Sequence, residues 1–130
     1  GFSEIIKHAC IKDAAMFQLL SKHTINSFQK NKKKLAALIQ NNTLLKLRIT
    51  QKDALEKNER YLLNFGHTIG HAIERVHNIS HGQAVAVGMA IDCKIAEKYF
   101  GFNFISLNVI IFISSKYFFN SSFSLINCTN

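Results

Sequence analysis

A row of polar side chains between residues 60 and 74 recurs at the spacing of a single helix face. Arg60, Asn64, His67, His71 and Glu74 are separated by steps of four, three, four and three residues, which places them on one stripe of a helix. A solvated stripe usually carries Lys and Glu, whereas amide, imidazole and guanidinium groups bind anions or metal ions by direct contact. The stripe therefore favours a binding surface, with a plain solvated face as the alternative.

The elements that hold this stripe also have sequence signals. The opposite side of the predicted helix is apolar and is expected to bury against its neighbours through Leu62, Leu63, Phe65, Ile69, Ile73 and Val76. Inside a helix, Gly66 and Gly70 each cost about 1 kcal/mol relative to alanine, so they indicate close approach by another backbone or by a ligand. Ser80 is a predicted N-cap, which places His81 at the start of a second helix that runs through Met89.

Two blocks of this region are long enough to be recognised. Residues 63–74 read Leu-Asn-Phe-Gly-His-Thr-Ile-Gly-His-Ala-Ile-Glu, and residues 81–89 read His-Gly-Gln-Ala-Val-Ala-Val-Gly-Met. Together they closely resemble the signature of the 3-dehydroquinate synthase family. The opening block, Gly-Phe-Ser-Glu-Ile-Ile-Lys, resembles a further motif of that family. The resemblance extends over residues 1 to about 101, and nothing is recognisable by inspection after that.

The histidines on the stripe admit more than one assignment. By spacing alone, His67 and His71 would be joint ligands of a metal ion, but a zinc protease needs Glu directly after the first histidine, and Thr68 stands there. The family resemblance implies a different set, in which Glu4, His67 and His81 bind the metal, Zn²⁺ or Co²⁺. Two imidazoles and one carboxylate with open positions are the usual composition of a catalytic zinc site. Taken alone, Glu4 would be a helix-start residue favoured by the helix dipole.

The resemblance also implies a set of active-site residues around the substrate: Lys7, Lys46, Glu56, Arg60, Asn64 and His71. Within that set, Lys7, Lys46 and Arg60 resemble the residues that grip a carboxylate and hydroxyl groups, a task for which a guanidinium is well suited. Without the resemblance, Lys7 would be interpreted as an intrahelical ion-pair partner of Glu4.

The other matched positions face the phosphate or have a less defined role. Asn64 and His71 match contacts on the phosphate side of the substrate, and Glu56 matches an active-site carboxylate whose role stays open. Gln83 replaces the Glu that is more usual in the family. That substitution leaves the implied ligand His81 intact but puts one nearby polar contact in doubt.

The implied reaction converts 3-deoxy-D-arabino-heptulosonate 7-phosphate to 3-dehydroquinate and phosphate in the shikimate pathway of aromatic amino acid biosynthesis. The family performs it with a tightly held NAD and is expected to form homodimers. A related sugar-phosphate cyclase, such as 2-deoxy-scyllo-inosose synthase, is the nearest enzymatic alternative. A non-catalytic helical module that only holds an anion is the alternative of another class.

The fold class that follows from these signals is all-α, the helical C-terminal domain of a two-domain enzyme. In the family an α/β NAD-binding domain precedes the helical one, and this sequence has no Gly-rich phosphate loop after a strand, so we expect a fragment that is inactive alone. Apolar periodicity and caps predict helical runs over residues 3 to about 21, 24 to 41 with Thr24 as N-cap, and 43 to 55. Residues 1–101 form one predicted domain, and 102–130 a divergent Phe-, Asn- and Ser-rich tail that is expected to pack poorly.

Composition argues against two other function classes. The 130 residues carry a formal net charge of +8, but the lysines are scattered apart from a run at 30–34 and do not alternate with aromatics, so an anionic substrate explains the charge without nucleic acid. The longest uncharged stretch, residues 99–115, is shorter than the roughly 18 to 20 apolar residues of a membrane-spanning helix. Cys10, Cys93 and Cys128 lack a pairing motif and no signal peptide is visible, which favours free thiols in the cytoplasm.

Overall fold

A computed structural model describes residues 1–53 and 59–101, and this part of the chain is built of helices and short connections, without a strand. The elements in chain order are α1 Phe2–Lys12, α2 Ala14–Lys22, α3 Ile25–Lys30, α4 Lys32–Lys52, a 3₁₀ helix Glu59–Asn64, α5 His67–Val76 and α6 His81–Phe100. The predicted all-α class is therefore confirmed for the described residues. Within these two ranges, no helix has the length and hydropathy that crossing a lipid bilayer requires.

Asp13 divides the first predicted helix into two. Its side chain accepts a hydrogen bond of 2.8 Å from the backbone N–H of Met16, and it is the N-cap of α2. Because α1 ends at Lys12 and α2 begins at Ala14, the prediction of one helix over residues 3 to 21 is wrong. A short carboxylate side chain competes with the helix for backbone donors, and apolar periodicity does not reveal that competition.

The helical run predicted over residues 24 to 41 is also divided at a different place. Thr24 is confirmed as an N-cap, with a capping box to Ser27, but the helix that it starts is only six residues long. Asn31 then caps α4 by accepting from the N–H of Lys34 at 3.0 Å. Because α4 runs on without interruption, the predicted stop near residue 41 is wrong. An Asn side chain is a helix stop only where it captures a backbone donor, as Asn31 does.

The polar stripe does not lie on one helix. Arg60 and Asn64 belong to the 3₁₀ helix, whereas His67 begins α5. Between them, Gly66 adopts a left-handed φ of 77°, and its N–H donates to the Asp92 carboxylate of α6 at 2.8 Å. A left-handed residue interrupts the right-handed helix, so the prediction of a continuous helix through residues 60 to 74 is wrong.

Close approach of α5 and α6 explains the glycines in this region. A Cβ on Gly70 would lie 3.1 Å from the carbonyl oxygen of Ala84 and 3.1 Å from the Cα of Val85. A Cβ on Gly88 would meet the backbone of both Gly66 and Gly70. The interpretation that the glycines mark the approach of another backbone is confirmed, and that backbone is α6.

The core forms around α1, which contacts α2, α4, α6 and the 3₁₀ helix. Its fully buried members come from α1, α2, α3 and α6: Ile6, Leu20, Phe28, Val85 and Met89. The predicted apolar side of residues 62–76 is only partly covered, because Leu62 is 45% exposed and Val76 is 77% exposed. For these two side chains the expected burial is wrong: the left-handed Gly66 separates Leu62 from the line of α5, and Val76 is the last residue of that helix.

Candidate metal and anion site

The carboxylate of Glu4, in the first turn of α1, presents its two oxygens to different partners. Oε2 accepts a hydrogen bond from Lys7 Nζ at 2.8 Å. Oε1 is buried, has no hydrogen-bond partner among the described residues and lies 3.4 Å from Nε2 of His67. Burial opposes ionisation, but the Lys7 ammonium outweighs it and lowers the pKa of the Glu4 carboxyl. Glu4 therefore holds an ionised oxygen that no protein donor satisfies, which suits it to a cation.

Three imidazoles gather opposite this oxygen. His67 is the first residue of α5 and His81 the first residue of α6, and their ring centroids are 5.6 Å apart. The ring centroid of His71, one turn into α5, lies 5.5 Å from the ring centroid of His67 and 5.5 Å from that of His81. Burial lowers the pKa of His67, which favours the neutral imidazole that a metal ion requires. The three imidazoles thus form one cluster, with contributions from both helices.

His67 has a defined orientation. Its Nδ1 lies 3.2 Å from the carbonyl oxygen of Phe65. Because a carbonyl oxygen only accepts, Nδ1 carries the proton, and Nε2 is left with a free lone pair facing Glu4. A fixed Nδ1–H proton is the usual arrangement for a histidine that binds a metal ion through Nε2.

Two sets of side chains have the spacing of metal ligands. In the first, Glu4, His67 and His81 each offer one ligand atom within 4.8 Å of the others; in the second, His71, Glu74 and His81 do the same. The first set contains the unpartnered Glu4 oxygen and the neutral His67, so its donors fit a divalent cation. The structure therefore brings together the three residues expected to bind the metal, while the choice between the two sets stays a prediction.

A cleft of about 230 Å³ adjoins Glu4 and His67 and gathers most of the predicted substrate residues. Four of the six line it: Lys7, Lys46, Arg60 and Asn64. His71 instead borders a second cleft of about 280 Å³ with Glu74 and Arg75. Glu56 lies outside the described residues.

Lys7 differs from the other cations of the cleft because it is only 2% exposed. Its ammonium donates to Glu4 and also to the carbonyl oxygen of Leu63 at 2.6 Å, which ties α1 to the 3₁₀ helix. Burial lowers the pKa of Lys7, and Glu4 opposes that shift. The intrahelical ion pair with Glu4 is thus present, and it is compatible with the implied substrate contact because Lys7 also lines the cleft.

Two residues that support the site were not identified from the sequence. His8 is 1% exposed, its Nδ1 lies 2.7 Å from Asn42 Oδ1, and its Nε2 lies 3.8 Å from Glu4 Oε2. Asp53 Oδ2 accepts from the N–H of Arg60 at 3.1 Å and so anchors the start of the 3₁₀ helix. The four-residue step from Glu4 to His8 was a usable signal, whereas the partners Asn42 and Asp53 depend on the tertiary fold.

Gln83 has a local role in place of the family's usual Glu. It forms a capping box with Ser80, the confirmed N-cap of α6: Ser80 N donates to Gln83 Oε1 at 3.1 Å, and Gln83 N donates to Ser80 Oγ at 3.4 Å. Gln and Glu both serve at this position of a capping box. The start of α6, and with it His81, is therefore held by a neutral side chain.

Comparison with known proteins identifies a family for this chain. The family described as 3-dehydroquinate synthase C-terminal matches residues 1–127, which includes the described residues and reaches past residue 101. A 3-dehydroquinate synthase of Halalkalibacterium halodurans is 42% identical over 104 residues, which cover 77% of this chain and 28% of the relative. The enzyme of that name from Chlamydia abortus is 43% identical over 98 residues, covering 74% of this chain and 26% of the relative.

A third relative, the 3-dehydroquinate synthase of Thermoanaerobacter pseudethanolicus, is 39% identical over 110 residues, covering 77% of this chain and 31% of the relative. The chain thus matches less than a third of the length of each of these proteins. The family match over nearly the whole sequence confirms the resemblance seen in the sequence motifs. The chain belongs to the 3-dehydroquinate synthase C-terminal family.

Proposed function

We propose that this chain is the metal- and substrate-binding part of a 3-dehydroquinate synthase, a phosphate-eliminating carbon–oxygen lyase of the shikimate pathway. The substrate would be 3-deoxy-D-arabino-heptulosonate 7-phosphate, and the products 3-dehydroquinate and phosphate. The observation that carries the proposal is the convergence of Glu4, His67 and His81 beside a cleft that also contains Lys46 and Arg60. The relatives reported above bear the name of this enzyme.

The residues of the cleft match the charge of such a substrate. The guanidinium of Arg60 is suited to a bidentate contact with the sugar-acid carboxylate, and Lys46 offers an exposed ammonium beside it. Asn64, at the end of the 3₁₀ helix, and His71, on α5, are proposed to contact the phosphate. The substrate would then extend from the cationic cleft towards the start of α5.

The side chains around Glu4 prepare a site for Zn²⁺ or Co²⁺. Lys7 keeps the Glu4 carboxyl ionised, and the Phe65 carbonyl fixes the His67 proton on Nδ1. When bound, such a metal polarises hydroxyl and carbonyl oxygens as a Lewis acid. These residues bind and orient, and the ligand atoms of Glu4, His67 and His81 lie within 4.8 Å of one another.

The remaining parts of the reaction are proposed from the family resemblance alone. The family uses NAD for a transient oxidation, and we propose that NAD binds in a region of the full-length proteins that this chain does not match. The same resemblance favours a homodimer in the cytoplasm.

Zinc binding by the purified chain tests the proposal. We expect competition against a chromophoric chelator to show one Zn²⁺ site that is lost in His81→Ala and strongly weakened in Glu4→Gln, since each change removes a ligand. His71→Ala is the matched control, a histidine of the same cluster that is expected to leave binding intact.

The opposite pattern would show that the second ligand set holds the metal. In that case His71→Ala abolishes binding and Glu4→Gln does not, because Glu4 is a member of the first set only. Inorganic phosphate binding that does not depend on added Zn²⁺, with no Zn²⁺ site in the chain, would instead favour a helical module that only holds an anion.

A further inference from the structure

Glu74 connects the two helices that carry the histidines. It lies one turn after His71 on α5, and its Oε2 is 3.0 Å from Nδ1 of His81, the first residue of α6. The same oxygen is 3.4 Å from Nδ1 of His71. One carboxylate oxygen therefore faces the Nδ1 atoms of two imidazoles from different helices.

The chemistry of these contacts fixes the proton on His81. An ionised carboxylate oxygen only accepts, so the short contact requires a proton on His81 Nδ1. A ring nitrogen that carries a proton cannot bind a metal ion, which leaves Nε2 as the ligand atom of His81. His67 has the same arrangement, with its Nδ1 at the Phe65 carbonyl oxygen and its Nε2 towards Glu4.

We propose that Glu74 is a positioning residue that holds His81 in the Nδ1–H tautomer, so that Nε2 is presented to the metal site formed with Glu4 and His67. This inference rests on the proposed function, since it assigns the metal to the first ligand set. Carboxylates that accept from a metal-binding imidazole orient the ring and raise its basicity. Here the contact also ties the start of α6 to the third turn of α5.

The same atoms define the competing arrangement. In the second ligand set Glu74 would itself bind the metal with His71 and His81. In the second set the His81 nitrogen that faces Glu74 is Nδ1, which would have to lose its proton to bind the metal, so the two roles require different tautomers of His81 and can be separated by experiment.

The test compares Zn²⁺ affinity in the full 130-residue chain and its variants. Glu74→Met keeps the length of the side chain but removes both oxygens, and we expect about a 10- to 100-fold loss of affinity, the usual effect of removing such a partner. Glu74→Gln, which retains one accepting oxygen, is expected to lose less. Glu97→Met, at an exposed position of α6, is the matched control and should bind as the unmodified chain does.

A second readout follows the His81 proton without any metal. The measurement is a ¹⁵N spectrum of the histidine-labelled chain at about pH 8.5, where free imidazoles are neutral. For the unmodified chain we expect His81 to carry its proton on Nδ1. In Glu74→Met we expect the proton on Nε2 instead, which is the form that free imidazoles prefer. The His81→Ala spectrum assigns the signal. In Glu97→Met, which leaves the contact between Glu74 and His81 in place, the proton should stay on Nδ1 even if α6 is destabilised.

Two results would overturn the inference. One is unchanged Zn²⁺ affinity and an unchanged His81 tautomer in Glu74→Met; the other is a loss as complete as in His81→Ala, which would make Glu74 a ligand. Failure of the proposed function looks different, because Zn²⁺ affinity would then be insensitive to Glu4→Gln.

Discussion

Lys7 controls the charge of the cleft more directly than any other cation among the described residues. It is the only cationic side chain there that is almost fully buried, and its ammonium satisfies both Glu4 Oε2 and the Leu63 carbonyl oxygen. The lowered pKa of Glu4 depends on that contact, since burial alone would raise it. Lys7 thus connects the stability of α1 to the ionisation of a predicted metal ligand, Glu4.

Lys7→Met is expected to raise the pKa of the Glu4 carboxyl, because burial then acts without the hydrogen bond and the charge of Lys7, its main opponents. At pH 7 the variant should lose about 1–3 kcal/mol of unfolding free energy, the usual cost of leaving buried acceptors unpaired. In the unmodified chain the lowered pKa contributes stability above pH 4.5, and this is lost as the pH falls through the folded pKa. The difference between the two chains should therefore shrink on acidification.

Urea unfolding at neutral and acidic pH measures this difference, and a ¹³C titration of the carboxyl follows Glu4 directly. Lys46→Met is the control, because Lys46 lines the same cleft but is exposed, and its unfolding free energy should stay within about 0.5 kcal/mol. A Glu4 pKa that does not rise in Lys7→Met would show that Lys7 does not keep the Glu4 carboxyl ionised.

For single residues, the family motifs predicted which residues belong to the site better than they predicted the contacts between residues. Glu4 and His81 are 77 residues apart in sequence, and no local pattern relates them; the motif resemblance alone proposed that they act together. His8 and Asn42 were missed because their hydrogen bond joins α1 to α4, and neither residue has a local signal that indicates the other. Pairings of this kind depend on how the helices pack.

At the scale of elements, the site depends on the contact between α5 and α6. Gly66, Gly70 and Gly88 allow the two backbones to touch, and this contact sets the distance between the first residues of the two helices, His67 and His81. A glycine-lined contact has little room to adjust, because the atoms that oppose Gly70 and Gly88 are backbone atoms, as are two of the three that oppose Gly66.

Gly88→Ala is expected to separate these helices. Helix propensity favours alanine by about 1 kcal/mol at an interior position such as this one. The new Cβ would lie 2.8 Å from the backbone N of Gly70, however, and overpacking of this kind costs about 1–3 kcal/mol. We expect a net loss of stability in urea unfolding together with weaker Zn²⁺ binding, since His67 and His81 would move apart.

Gly1→Ala is the matched control, because a Cβ at Gly1 would have no atom within 4 Å. It should leave both unfolding and Zn²⁺ affinity unchanged. A Gly88→Ala chain that is more stable than the unmodified one would show that propensity outweighs the backbone contact, and that α5 and α6 are not held as closely as the structure shows.

The sequence was sufficient to predict that the chain is helical, but not to predict most of the helix ends. The N-caps at Thr24 and Ser80 have strong local signals and were identified, whereas Asp13 and Asn31 were missed because both stand inside apolar patterns that run through them. The break at Gly66 depends on a tertiary partner, the Asp92 carboxylate, which holds the left-handed turn. Single-sequence periodicity has no access to that interaction.

At the scale of the whole molecule, the chain is a part of a larger family architecture. Its matched region covers 28% of the Halalkalibacterium halodurans relative, and the described residues contain a candidate metal site and a cationic cleft. The domain boundary expected at residue 101 stays a prediction, because residues 102–130 lie outside the described part and the family match continues to residue 127. The all-α class and the family were predictable because both rest on long, continuous signals.

Catalytic activity depends on how hydride transfer and metal binding are divided between the parts of the proposed enzyme. Hydride transfer requires a nicotinamide held against the substrate carbon, and a displacement of about 1 Å can cost on the order of 100-fold in rate. The described residues offer the proposed metal and anion contacts but, within their two ranges, no strand followed by a phosphate-binding loop. We therefore expect no phosphate release from 3-deoxy-D-arabino-heptulosonate 7-phosphate by the purified chain with NAD and Zn²⁺. Activity should recover only when the remaining part of a matching 3-dehydroquinate synthase is added.

His81→Ala in the same mixture is the control and should not recover activity, because it lacks a proposed metal ligand. Turnover by the chain alone, well above the background with metal only, would mean that this region also binds the dinucleotide.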